Sequence, residues 1–289
     1  MYYKDSEIEI RHQKVIPRLG SIQHAVFDHD GTISTLRYGW EKIMAPMMMK
    51  AVVGKKFETL SKTLLDRVQN RVDKFIDATT GIQTILQMEG LIQLVEEFAM
   101  VPAEHISDKF GYKNIYNTAL MEMVNKRIQN IKNETLTADK YIIRGVTDFL
   151  KSLKERGVKL YLASGTDKED VINEAELLGY ADLFEKRIYG SVGDVPKYSK
   201  RMVINQIISE NGLLGKQLLV VGDGPVEIQE CVKSGGISIG LASDERRTFG
   251  LDEHKRVRLI EAGADLIIPD FLQLELLIDL LFRQETKSC

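Results

Sequence analysis

Cysteine is nearly absent: Cys231 and the terminal Cys289 are the only two in 289 residues. That is too few for a disulfide framework and points to a reducing compartment. No run of about 18 apolar residues occurs, which excludes a transmembrane helix. The opening Met1-Tyr2-Tyr3-Lys4-Asp5-Ser6-Glu7 is too polar for a signal peptide. Neither sign of charge dominates, since 39 basic and 42 acidic residues leave a net −3, without the basic face a nucleic-acid binder needs. Internal repeats and low-complexity tracts are missing too. The expectation is a cytoplasmic, soluble globular protein with neither nucleic acid nor membrane as partner, long enough for one large domain or two smaller ones.

What is present falls into two rhythms. After a short leading strand or arm in residues 1–22, the apolar run His24-Ala25-Val26-Phe27 reads as a buried strand. From about Trp40 to Ile131 apolar residues recur at helical spacing, as in Leu60, Leu64, Leu65 and Val68, giving a block of four or five helices. Within it, Met44, Met47, Met48 and Met49 read as core, and Gly81-Ile82-Gln83-Thr84 as an ordinary inter-helix turn, with a specificity loop as the alternative. The second half alternates strands (Val158–Ala163, near Ile188-Tyr189, Gln217–Val221, Gly236–Gly240, Leu266–Ile268) with helices. Continuous apolar strands alternating with helices predict an α/β fold: a parallel sheet covered on both faces, whose sites lie beyond the carboxyl ends of the strands.

Chemistry-bearing residues follow those strands. Asp28 and Asp30 come after the first, in Asp28-His29-Asp30-Gly31-Thr32. Two residues apart on a strand, they share a face unless the Gly31 turn bends the second away, and paired acids repel unless a cation or proton sits between them. His29 points to the opposite face, without a catalytic role. Ser164-Gly165-Thr166 follows the second strand; a hydroxyl and free N–H groups opening a helix, with Thr166 and Glu169 fitting a capping box, would suit phosphate. Lys197 in Gly193-Asp194-Val195-Pro196-Lys197 supplies a cation, with Lys200 as rival. Asp223 and Glu227 lie in the turn Gly222-Asp223-Gly224-Pro225-Val226-Glu227. Oxygen ligands favour a hard cation such as Mg²⁺, and phosphoryl transfer uses a metal, a cationic clamp and an oxygen nucleophile together. His254 to Arg258, with Arg246 and Arg247, read as a solvated basic patch.

Asp28-His29-Asp30-Gly31-Thr32 resembles the D-x-D-G-T signature of the haloacid dehalogenase superfamily. Ser164, Lys197 and Gly222-Asp223 fall where that family's other motifs stand, in order, over about His24 to Phe282. The resemblance implies a Rossmann-like core (1–33 and 141–289) and an all-α cap (34–140) inserted after the first motif strand. It also implies Asp28 as nucleophile forming an aspartyl-phosphate, Asp30 as general acid and base, and Ser164, Gly165 and Lys197 on phosphate. Mg²⁺ would be held by Asp28, Asp30 and Asp223, with Glu227, where the family usually has Asp, acting through water or pairing with Lys197. The implied activity is a Mg²⁺-dependent phosphatase acting on a small phosphorylated metabolite, a sugar phosphate or a phosphoglycolate-like compound. The alternatives are a phosphomutase of the β-phosphoglucomutase type, a phosphonate hydrolase and a non-catalytic phosphometabolite-binding module.

Overall fold

The structure, a computed structural model, describes residues 1–57, 59–192 and 198–283. Among these residues seven strands form one sheet: β1 (Glu9–Ile10), β2 (His24–Phe27), β3 (Lys159–Asp167), β4 (Ile188–Ser191), β5 (Leu218–Gly222), β6 (Ile237–Leu241) and β7 (Leu266–Ile268). Their order is β1-β7-β6-β5-β2-β3-β4. Only the two-residue β1 runs antiparallel, on the edge beside β7; β2 through β7 are parallel. After β1 on the edge, the chain enters the middle of the sheet with β2, builds out to β4 and crosses back to β5. The switch of direction at β2 is where such sheets open a crevice.

The strands are apolar because both faces are covered. On β2, Ala25 and Phe27 point into one core and Val26 into another, the alternation a strand imposes. Phe27 meets Phe149 and Phe184 edge-to-face at 6.0 and 6.3 Å between ring centres. Covering helices are α5 (Val146–Glu155), α6 (Lys168–Leu177), α7 (Ala181–Phe184), α8 (Lys200–Asn211), α9 (Pro225–Lys233), α10 (Glu253–Glu261) and α11 (Leu274–Leu281), numbered after four that precede them in the chain. Those four, α1 (Glu41–Val53), α2 (Lys62–Thr79), α3 (Thr84–Phe98) and α4 (Lys109–Lys132), are the helical block. They bury a core of their own, including Met44, Met48 and Met49. Among the described residues no helix is long and apolar enough to cross a membrane.

Two local expectations give way. β3 runs on through Ser164, Gly165 and Thr166 to Asp167, and α6 is entered from Asp167 without a side-chain cap, so the Thr166–Glu169 capping box does not form. The Thr166 hydroxyl is instead engaged with Asp30. His254 to Arg258 are not a solvated loop but most of α10, capped by Asp252, whose carboxylate accepts from the Lys255 N–H at 3.0 Å.

Candidate active site

β2 carries its pairing one residue past its end, the Asp28 N–H donating to the Val221 carbonyl at 2.9 Å. The chain then turns sharply: the His29 carbonyl accepts from the N–H groups of Thr32, Ile33 and Ser34 at 3.3, 2.9 and 3.0 Å. Gly31 permits the turn with a φ of +74°. A side chain there would also collide with Asp223, its Cβ falling 2.3 Å from Oδ2.

The turn separates the two acids. Asp28, 6% exposed, has Oδ1 2.8 Å from the ammonium of Lys200, which lies 2.9 Å from Oε2 of Glu227. Glu227 is oriented by the Gly224 N–H, donating to Oε1 at 2.7 Å. Asp30 faces a different group. Its Oδ2 accepts from the hydroxyls of Thr166 (2.8 Å) and Ser164 (3.4 Å). Its Oδ1 lies 3.3 Å from Nδ1 of His29 and 3.8 Å from Nε of Arg37. Arg37 is tied in turn to Glu174 at 2.6 Å and Asp170 at 3.0 Å. His29 therefore contacts an expected catalytic acid while its Nε2 meets the Tyr180 hydroxyl at 2.7 Å. Strand alternation missed this because Asp30 swings to the His29 side.

Burial drives the Asp28 carboxyl up, opposed by Lys200 and reinforced by Glu227 and Asp223. For Asp30, burial pushes up as well, but His29, Arg37 and the Thr166 hydroxyl outweigh it and hold the group below the usual carboxylate range. Lys200 is held ionised by Asp28 and Glu227 despite complete burial. Lys197, the expected clamp, lies outside the described residues; the ammonium that meets Asp28 belongs to Lys200. Ser164 and Gly165 line the same cavity as Asp28 and Asp30.

Asp223 is gripped from α10. Lys255 places its ammonium 2.7 Å from Oδ2 and 2.6 Å from Oε1 of Glu245, and Arg258 donates to the Asp223 carbonyl at 3.0 Å. Oδ1 of Asp223 accepts from Thr32 at 3.3 Å. Glu245 is pushed up to about 7 by burial, against the pull of Lys255.

Asp28, Asp223 and Glu227 each turn a ligand oxygen inward, the three within 4.8 Å of one another and all buried. With Glu245 they make four carboxylates around two ammonium groups, Lys200 and Lys255. Three buried oxygen ligands converging on one point fit one hard divalent cation.

The helical block closes the site. The cavity, about 80 Å³, is lined from that side by Arg37, Trp40, Thr80, Gly81, Thr84, Gln87, Tyr116 and Leu120. The turn after α2 is thus not an ordinary connector. Gly81, at φ +92°, lies so close that a Cβ would stand 2.8 Å from Oε2 of Glu227. Gln83 anchors the turn, its side-chain amide donating to the Tyr198 carbonyl at 2.5 Å and its Oε1 accepting from Ser191 at 3.0 Å.

The family model for haloacid dehalogenase-like hydrolases matches residues 22–235. Among solved structures, a β-phosphoglucomutase from Clostridium difficile aligns over 90% of this chain and 97% of its own, with TM-score 0.59 and 16% identity. A predicted phosphoglycolate phosphatase from Haemophilus somnus aligns over 88% and 97%, at 0.53 and 16%. A predicted phosphatase from Clostridium acetobutylicum aligns over 89% and 98%, at 0.52 and 17%. At such identities the likeness is one of fold. A search of curated proteins returned no match.

Proposed function

The chain belongs to the haloacid dehalogenase-like hydrolases, and we propose that it is a Mg²⁺-dependent phosphatase of a small phosphorylated metabolite, with residues 34–140 as the cap over a core of 1–33 and 141–289. The observation that carries this reading is the buried Asp28 carboxylate, held at 2.8 Å by Lys200 in a cavity that Asp30 and Ser164 share.

The oxygen of Asp28 not taken by Lys200 attacks phosphorus in line. The bond from phosphorus to the leaving oxygen breaks, and Asp30 delivers a proton to that oxygen. Asp30 then takes a proton from the water that hydrolyses the aspartyl-phosphate, releasing inorganic phosphate. In the free site Asp30 is ionised, the form needed for this second step; the charge of an arriving phosphate raises it towards the form needed for the first. Lys200, the Ser164 hydroxyl and the Gly165 N–H hold phosphoryl oxygens. Asp28, the Asp30 carbonyl and Asp223 would hold Mg²⁺, which supplies charge neutralisation on the phosphoryl group and lowers Asp28 into its nucleophilic form. Glu227 acts through Lys200.

The test is Asp28→Asn. Hydrolysis of p-nitrophenyl phosphate with Mg²⁺ is expected to fall by roughly 10³-fold or more with the circular dichroism spectrum unchanged; substantial turnover by the pure variant would refute the assignment. Thorough EDTA treatment is expected to abolish activity and Mg²⁺ to restore it, so full activity in EDTA would remove the metal from the scheme.

A further inference from the structure

The lysine that grips Asp223 has no part in the scheme above. Lys255 is 7% exposed, and its ammonium is shared between two buried carboxylates, Asp223 at 2.7 Å and Glu245 at 2.6 Å. It is one of two holds that α10 keeps on this loop, the other being Arg258 on the Asp223 carbonyl. Both Glu245 and Lys255 stand beyond residues 22–235, the segment that matches the family.

The placement has a physical consequence. Of the two oxygens of Asp223, Oδ2 is occupied by Lys255, while among the described residues Oδ1 meets only the Thr32 hydroxyl, at the longer distance of 3.3 Å. A carboxylate so held offers a metal one oxygen, in a fixed orientation. The same ammonium is a unit positive charge, and inside a buried site it opposes a dication strongly. Glu245 draws on that charge from the other side and so limits how completely Lys255 neutralises Asp223.

We propose that Lys255 is a positioning residue for the metal-ligand Asp223, a built-in cation that fixes the carboxylate and keeps the divalent ion weakly held and exchangeable, with Glu245 as its counterweight. This rests on the reading of Asp28, the Asp30 carbonyl and Asp223 as a divalent-cation site.

The test is calorimetric titration of the metal-stripped full-length protein with Mn²⁺, without substrate. Lys255→Met is expected to bind Mn²⁺ at least about tenfold more tightly than wild type, the order of effect of removing one unit charge a few ångströms from a dication. Glu245→Gln, which commits Lys255 wholly to Asp223, is expected to bind it more weakly. A merely structural ion pair would lower stability in both variants without moving affinity in opposite directions. Unchanged or weaker Mn²⁺ binding by folded Lys255→Met overturns the proposal. If that variant does not fold, Lys255→Met/Glu245→Gln carries the same test, expected to bind more tightly than Glu245→Gln alone and overturning the proposal if it does not. Absence of Mn²⁺ binding by wild type is a separate result, which removes the metal reading itself and this inference with it.

Discussion

At the scale of single residues, Lys200 joins fold to chemistry. It is 5% exposed and paired with Asp28 and Glu227, so it cannot be removed without leaving two buried carboxylates uncompensated. Breaking a buried pair from one side typically costs about 3–5 kcal/mol. Lys200→Met is therefore expected to lower the melting temperature clearly and, if it is the phosphoryl clamp proposed above, to reduce kcat by roughly 10²-fold or more. Lys197→Met is expected to retain most activity. The reverse ranking in a phosphate-release assay would return the clamp to Lys197. Spacing alone could not separate two lysines three residues apart in a chain that enters a helix between them. The contact that separates them is made to Asp28, 172 positions earlier in the sequence.

At the scale of elements, two of the features that stand outside the four strand-end motifs and complete the site are the turn between α2 and α3, and α10. The turn sits against the carboxylate of Glu227 through Gly81, where both a left-handed φ and a 2.8 Å approach exclude a side chain. Gly81→Ala is expected to lift the turn and raise KM about tenfold or more while leaving the core intact, measured as KM against kcat with a small phosphate ester. An unchanged KM would mean that the turn does not help enclose substrate. Arg258 of α10 reaches the same region, donating to Asp77 at 3.1 Å and to Thr80 at 3.5 Å as well as to the Asp223 carbonyl. Asp28, Asp30, Ser164 and Asp223 were legible in the sequence because each follows the apolar run of a strand, which announces it. Lys255 and Arg258 were not, because a helix rich in lysine and arginine looks solvated until its buried partners, Asp223 and Glu245, are brought to it by the sheet. Thr166 was placed after the right apolar run but in the wrong element, since β3 extends four residues beyond that run, to Asp167, before the helix begins.

At the scale of the whole molecule, the sheet centre carries a pH dependence unconnected with the reaction. His24 opens β2, buried, with Nδ1 3.0 Å from the Tyr161 hydroxyl. Burial first, then Lys159 and Arg187, hold its imidazole below the ordinary 6.5. A folded value below the unfolded one means the fold prefers neutral His24. Its contribution is therefore complete above pH 6.5 and is lost as pH falls from there through the folded value. The melting-temperature advantage of wild type over His24→Gln is expected to shrink between pH 7 and pH 5, and a constant difference across that range would show that protonation of His24 is not linked to folding. The architecture itself was readable from alternation, since apolar strands between helices admit little besides a covered parallel sheet. How the helical block is seated over it was not, because that seating depends on ties such as Lys113 to Asp167 at 2.7 Å, which join surfaces far apart in sequence.

Trp40, the single tryptophan of the chain, stands in the wall of the reaction cavity. All indole emission from this protein therefore originates in the cavity that Asp28 and Asp30 line, with no second indole to dilute it. Seating a phosphate mimic there, or displacing the helical block from the strand ends, changes the polarity around that one ring. The unlabelled protein thus carries its own optical gauge of occupancy and closure, readable in a stopped-flow instrument before any product has formed.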